Sequence, residues 1–337
     1  MRIALDAMGT DRHPAVEVEG AIEALHSLRG EFEIALVGDR DRIEAELTRL
    51  GWAGSGRLAV IHASERVEPC ESPATAVRRK PDSSIVRGLA LQRDGEADAF
   101  VSAGSTGAVM AASLFILRPV AGVDRPAVAT VLPTAAGPLV LVDAGANVDS
   151  KPGQLVQWAR LGVVYAQDVL GLEDPRVGLL NIGEEPEKGN EVAVETHRLL
   201  AETELRFVGN VEGRDIIGGP CDVLVADGFV GNVLLKFYES VAAFVSRLLV
   251  REVEAAGVVL QLDEVTRVLD YTEYGGAPLL GVNGLSVICH GDSPPRAIAN
   301  AVRVALEASR SHMVDHIQGT VARAGLREAG GAPVDVA

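Results

Sequence analysis

The stretch "VSAGSTGAVMAA" joins a run of strand character ending at Ser102 to a helical segment through Gly104, Ser105, Thr106 and Gly107. Backbone N–H groups and hydroxyls at a positive helix end make a cradle for an anion. The lysine of a G-x-x-x-x-G-K-[ST] loop is missing, and no G-x-G-x-x-G follows the first strand, so a small oxyanion such as phosphate suits the cradle better than a nucleotide. A capped helix start is the plainer use of the same residues. In "LLNIGEEPEKGNE" a buried run halts at Asn181 and Gly183, gathers Glu184, Glu185 and Glu187, and then offers Lys188. Other chemistries find less support. "HMVDH" sets His312 and His316 four apart, without the glutamate of an H-E-x-x-H zinc site. No G-x-S-x-G elbow precedes a helix. Cys289 and His290 are neighbours on a strand and so point to opposite faces, which disfavours a thiol nucleophile.

The elements that must position these residues alternate between short apolar runs and longer segments of helical period, the pattern of an α/β parallel sheet covered by helices. "RIAL", "EIALVG", "LAVIHA", "DAFVSAG", "GPLVLVDAG", "VGLLNIG", "LRFVGN", "DVLVADG" and "LSVICHG" read as strands. Their continuous hydrophobicity predicts cover on both faces. "PAVEVEGAIEALHSL", "QLVQWARLGVVYAQDVL" and "NEVAVETHRLLAE" read as amphipathic helices. Polar residues and glycine cluster where strands end: at Asp6, Ser102, Asp143 with Asn147, Asn181, Gly209, Asp227 and His290. In a parallel sheet the carboxyl ends share one edge, where ligands bind, so seven loops are expected to converge on one crevice. Glycines that merely turn the chain are the plainer alternative at any single loop.

A chain of 337 residues buries enough apolar surface to need neither disulfide nor metal. A single domain over 1–328, with a flexible tail at 329–337, is the expected organisation. A net charge of -16 with 4% aromatic residues argues against nucleic acid as a partner, since phosphate backbones need clustered cations. Cys70, Cys221 and Cys289 form no C-x-x-C pair and read as reduced thiols. "MRIALDAMGTD" lacks the apolar core of a signal peptide, and "GAVMAASLFIL" stops at Arg118, short of a membrane span. These features predict a cytoplasmic protein.

The chain resembles the phosphate acyltransferase family of bacterial phospholipid synthesis. The resemblance rests on "ALDAMGTDRHP", "ESPATAVRRKPDSSI", "VSAGSTGAVM", "VDAGANVDSKPGQLVQWARLG", "LLNIGEEPEKGNE", "FVGNVEGRDI", "DVLVADGFVGNVLLK" and "YGGAPLLGVNG", in order along nearly the whole chain. It implies transfer of a long fatty acyl group from acyl carrier protein to inorganic phosphate, giving an acyl phosphate for glycerol-3-phosphate acylation. It also implies a three-layer αβα fold with a mainly parallel sheet, similar to isocitrate and isopropylmalate dehydrogenases and to phosphotransacetylase. A homodimer without metal or nucleotide cofactor is expected. Ser105 stands where the family more often has Asn, and "HGDSPPRA" carries an unexpected Pro pair.

On that resemblance phosphate is the nucleophile and a thioester the donor, so the protein has two anions to position and an oxyanion to stabilise. Lys188, Lys151 and the 104–107 loop are the expected phosphate ligands, with Asn147, Asn181, Asp227 and His290 around them. The Asn232 amide is the expected oxyanion donor. An ion pair with Glu184 or Glu185 is the plainer use of Lys188, and a helix cap that of Asn232. Arg78, Arg79 and Lys80, the densest cationic run, are expected to dock the acidic carrier. Helices over about 229–270 are expected to form a hairpin. Val241, Phe244, Val245, Leu248 and Leu249 make an apolar stripe suited to a core or a dimer interface. The tip residues Val258, Val259, Leu260 and Leu262, near Arg247, Arg251 and Arg267, are expected to touch the inner face of the cell membrane, close to a downstream glycerol-3-phosphate acyltransferase. Two alternatives from other classes are a phosphotransacetylase-like enzyme using acyl-CoA and a noncatalytic scaffold for lipid-synthesis enzymes.

Overall fold

Ile3, Ala4 and Leu5 are fully buried in β1 (Arg2–Asp6), as a strand covered on both faces requires. The computed structural model describes residues 1–330 apart from 53, 55 and 257–274. The other strands are β2 (Glu33–Gly38), β3 (Leu58–His62), β4 (Ala99–Ser102), β5 (Ala127–Thr134), β6 (Gly137–Val142), β7 (Val177–Asn181), β8 (Phe207–Glu212), β9 (Val223–Val225), β10 (Ala277–Leu280) and β11 (Ser286–Ile288). They form one 11-stranded sheet in the order β3-β2-β1-β4-β11-β10-β5-β6-β9-β7-β8. Seven of the neighbouring pairs are parallel.

Successive residues of a strand face opposite sides of the sheet, so each strand feeds two cores. Ile3, Leu5, Ile34, Val101, Val140 and Val225 share one core with α1 (Ala15–Ser27), α2 (Arg40–Arg49), α6 (Pro152–Asp168), α7 (Glu191–Ala201), α9 (Pro295–Arg310) and α10 (Met313–Gly330). Ala4, Phe100, Leu132, Leu141 and Leu224 share the other with α3 (Pro73–Arg79), α4 (Ser84–Arg93), α5 (Thr106–Ile116) and α8 (Gly228–Ala256). The result is the αβα layering expected from the sequence. The Pro pair falls at the start of α9, with Pro294 as its cap and Pro295 as its first residue, where a missing N–H costs nothing.

One expectation is corrected. β10 runs antiparallel to both β11 and β5, and β5 antiparallel to β6. Three reversals in succession turn the second half of the sheet over. The carboxyl ends of β1, β4 and β11 therefore lie on one edge, and those of β6, β9, β7 and β8 on the opposite edge. The seven polar loops do not share an edge; only those after β4, β6, β9 and β11 meet, where the halves join.

α8 supplies the first arm of the expected hairpin. Its apolar stripe is not core: Val241, Phe244 and Leu248 are exposed, Val245 and Leu249 half-buried, and only residues such as Leu235 and Ala242 turn inward. The expected membrane tip, Val258, Val259, Leu260 and Leu262, lies outside the described residues, as do Arg267 and residues 331–337 of the expected 329–337 tail, whose first two residues end the last helix. No described helix is long and apolar enough to cross a membrane.

Candidate active site

A cavity of about 330 Å³ opens at the junction of the two halves. The first half contributes Thr106 at the start of α5 and His290 with Ser293 after β11; the second contributes Ala144 and Gly145 after β6, and Asn232, Lys236 and Glu239 from α8. Val128 and Thr130 of β5 and the Gly275–Ala277 segment form the wall between them.

The loops that build this cavity are held by buried acids. Asp6, at the end of β1, accepts a hydrogen bond from Ser102 Oγ at 2.6 Å and another from the Met8 N–H at 3.0 Å. Ser102 Oγ in turn accepts the Gly104 N–H at 3.0 Å, which ties the "SAGSTG" loop to the neighbouring strand. Burial pushes the Asp6 carboxyl up from its ordinary value, and these donors oppose the rise. On the other side Asp143 accepts from the N–H groups of Val128, Gly145, Ala146 and Asn147. Burial raises its carboxyl as well, against those donors. Both acids spend their oxygens shaping backbone.

Asn232 is the fifth residue of α8 and caps nothing; the residue before the helix, Asp227, does that through Oδ1, which accepts the Phe229 N–H at 2.8 Å. One turn on from Asn232, Lys236 Nζ donates to Glu239 Oε2 at 2.9 Å and lies 3.4 Å from each ring nitrogen of His290. His290 Nε2 lies 3.3 Å from Glu239 Oε1. Partial burial pushes the Glu239 carboxyl up, but His290 and Lys236 outweigh it and hold the group below its ordinary value. The cavity thus offers an amide donor, a cation, an imidazole and a helix N-terminus around one space.

The expected residues are only partly brought together. Thr106, Asn232 and His290 line the cavity; Gly104, Ser105 and Gly107 shape the loop beside it. Asn147 is buried, and its Nδ2 donates to Pro126 O at 2.8 Å and Asp143 Oδ2 at 2.9 Å, so its amide is spent on structure. Asp227 also receives the Ser150 N–H at 2.9 Å. Asn181 donates to Lys188 O at 2.9 Å and accepts the Ile182 N–H, folding the loop that carries Lys188. Lys188 is exposed after β7, on the second half's edge and not among the cavity's lining residues. Lys151 is exposed before α6 and lines a different depression, with Arg160 and Glu202. Lys80 donates to Glu71 Oε2 at 2.6 Å, while Arg78 stacks over the Phe115 ring at 4.9 Å. Sequence reading missed Lys236 and Glu239. Their positions four and seven after Asn232 put all three on one helix face, the signal that would have found them.

Residues 1–316 match the family model described as "Fatty acid synthesis protein". A phosphate acyltransferase of Pelotomaculum thermopropionicum is 48% identical over 98% of this chain and 98% of its own length. Another, from Heliobacterium modesticaldum, is 49% identical over 95% of this chain and 99% of its own. Among solved structures, a phosphotransacetylase from Streptococcus pyogenes superposes with a TM-score of 0.62 at 17% identity, covering 92% of this chain and 94% of that one. A branched-chain phosphotransacylase from Enterococcus faecalis gives 0.60 at 15%, covering 92% and 99%. Those two likenesses speak for the fold alone, but identity near one half along nearly the full length of both partners speaks for descent. The chain belongs to the phosphate acyltransferase family.

Proposed function

We propose that the protein transfers a long-chain fatty acyl group from the thioester of acyl carrier protein to inorganic phosphate in the cavity at the joint of the sheet. The observation that carries this reading is the convergence there of the Asn232 amide, the Lys236 cation and the α5 N-terminus at Thr106. A thioester carbonyl becomes an oxyanion when phosphate attacks, and a fixed amide N–H placed at that oxygen is worth roughly 3 kcal/mol. Phosphate arrives as an anion, and Lys236, although paired with Glu239, has further N–H donors to offer it inside the cavity beside the α5 N-terminus.

The product, an acyl phosphate, is an activated acyl donor suited to glycerol-3-phosphate acylation. The acidic carrier needs a local cationic patch on a chain of net charge -16, and Arg78 and Arg79 are its best candidates, since the charge of Lys80 is already met by Glu71. The exposed face of α8 suits a second copy of the chain, and release of a poorly soluble product suits contact with a membrane surface. A short-chain acyl-CoA donor is the second reading, favoured by the fold of the phosphotransacetylases.

The test is phosphate-dependent thiol release with palmitoyl carrier protein and acyl-CoA compared as donors. The carrier thioester should turn over faster, and Asn232→Ala should cost at least tenfold in acyl phosphate formed. Equal turnover of acetyl-CoA would favour the second reading, and undiminished activity of Asn232→Ala would remove the amide from the mechanism. Lys188→Ala in the same assay decides whether the loop after β7 takes part.

A further inference from the structure

Acyl transfer to phosphate also moves a proton. Attack of a hydrogen phosphate dianion on the thioester forms the phosphate O–C bond and breaks the C–S bond. The electron pair stays on sulfur. The departing alkyl thiolate is basic enough to end protonated at neutral pH, its conjugate thiol having a pKa of about 8.5 by analogy with cysteine. The acyl phosphate product, meanwhile, no longer holds the phosphate proton. One proton must therefore travel from the attacking phosphate to the sulfur, with no net change on the protein.

From the arrangement at the cavity floor we infer that His290 carries this proton, held in place by Glu239, while Lys236 holds the phosphate beside it. This rests on the acyl-transfer reading and names the group that completes it. Glu239 is the most covered of the three, its side chain 14% exposed against 49% for Lys236 and 40% for His290. All three side chains line the cavity. Its oxygens are divided, Oε2 toward Lys236 and Oε1 toward His290 Nε2. A carboxylate at one ring nitrogen orients the imidazole and stabilises the imidazolium that forms when the ring accepts a proton. Lys236, 3.4 Å from the ring, brings an anion it binds to the imidazole's side. His290 takes the proton from phosphate as the C–O bond forms and returns it to sulfur as the C–S bond breaks. Glu239 and Lys236 come from α8, in the second half of the sheet, and His290 follows β11, in the first. The proton path therefore exists only when the two halves are docked.

The leaving group provides the test. Acyl transfer to inorganic phosphate is measured for two S-acyl thioesters, one of an alkyl thiol and one of an aryl thiol whose thiolate departs without protonation. His290→Gln should lose 10²- to 10⁴-fold with the alkyl thioester, the usual range for a general acid–base group, and most of that loss should vanish with the aryl thioester. Glu239→Gln, which keeps the shape and removes the orienting charge, should show a smaller loss with the same dependence on the thiol. It also serves if His290→Gln fails to fold. A loss equal for both donors, in either folded variant, overturns the proton role and leaves His290 a structural residue. A wild-type protein that makes no acyl phosphate from palmitoyl carrier protein in the same assay instead overturns the acyl-transfer reading itself, so the two failures are distinguishable.

Discussion

Glu17, in the first turn of α1, is fully buried beneath the loop that follows β1, where one of its carboxylate oxygens accepts the Thr10 N–H at 2.6 Å. Burial pushes its carboxyl up to about 7, and the negative charge of Asp6 adds in the same direction. Cys289 faces the same interior, and its thiol is raised to about 12 by burial and by Glu17. The unfolded chain releases the Glu17 proton near 4.5, whereas the folded chain keeps it to about 7. Between those values the native state binds the extra proton, so the Glu17 contribution to stability is full below 4.5, falls as pH rises, and is lost above about 7. The gap corresponds to roughly 3 kcal/mol. Glu17→Gln should therefore melt higher than wild type at pH 8 and show a flatter fall in stability between pH 5 and pH 8. Parallel pH curves for the two proteins would show that the group is solvated. None of this was legible from the sequence, where Glu17 reads as one more acid on an amphipathic helix. Asp6 and Asp143 were visible as strand-end acids, but spacing along the chain does not distinguish an acid that shapes backbone from one that meets substrate.

Between the residue and the molecule, the decisive element is α8. Its first turn packs backbone against backbone: a Cβ at Gly228 would fall on the Asn147 carbonyl oxygen and one at Gly231 on the Asp143 carbonyl oxygen. Close approach of this kind fixes the azimuth of the helix, and hence the face that turns Asn232, Lys236 and Glu239 into the cavity. Gly231→Ala must push the helix off the β6 loop. It is expected to cost at least tenfold in activity along with a lowered melting temperature, while Gly153→Ala, with open space at its Cβ in the first turn of α6, should stay within about 1 kcal/mol of wild type. Wild-type activity in Gly231→Ala would mean that the α8 register is slack. Most elements were readable as apolar runs, yet two strands were not. β5 is interrupted by Thr130 and carries Pro133, and β10 spans only Ala277–Leu280 after a glycine pair. Those two strands make the reversals that split the carboxyl ends between opposite edges, so missing them misplaced Lys188 and Asn181 relative to the cavity.

At the scale of the whole molecule, Val233, Phe237, Val241, Phe244 and Leu248 form an outward row on α8, with Phe237 67% and Phe244 59% exposed. Apolar rows of that length on an isolated protein favour association. Sedimentation should find the wild type as a dimer and Phe237→Glu with Phe244→Glu as a monomer; a variant still dimeric would move the interface elsewhere. Arg78→Glu with Arg79→Glu should raise the KM for the carrier thioester severalfold and leave the KM for phosphate unchanged, and an unchanged carrier KM would place docking on another surface. The strand order also has a consequence for how the protein is made. β11 and β10, drawn from residues 277–288, sit between β4 and β5, which come from residues 99–134. On the ribosome the two halves of the sheet emerge long before the strands that join them. Until residues 277–288 have been threaded out, β4 and β5 each present a bare row of N–H and C=O groups, an edge ready to pair with another nascent chain. A message cut short before residue 277 would yield two unclosed half-sheets bound for chaperones or proteases, and no partly working enzyme.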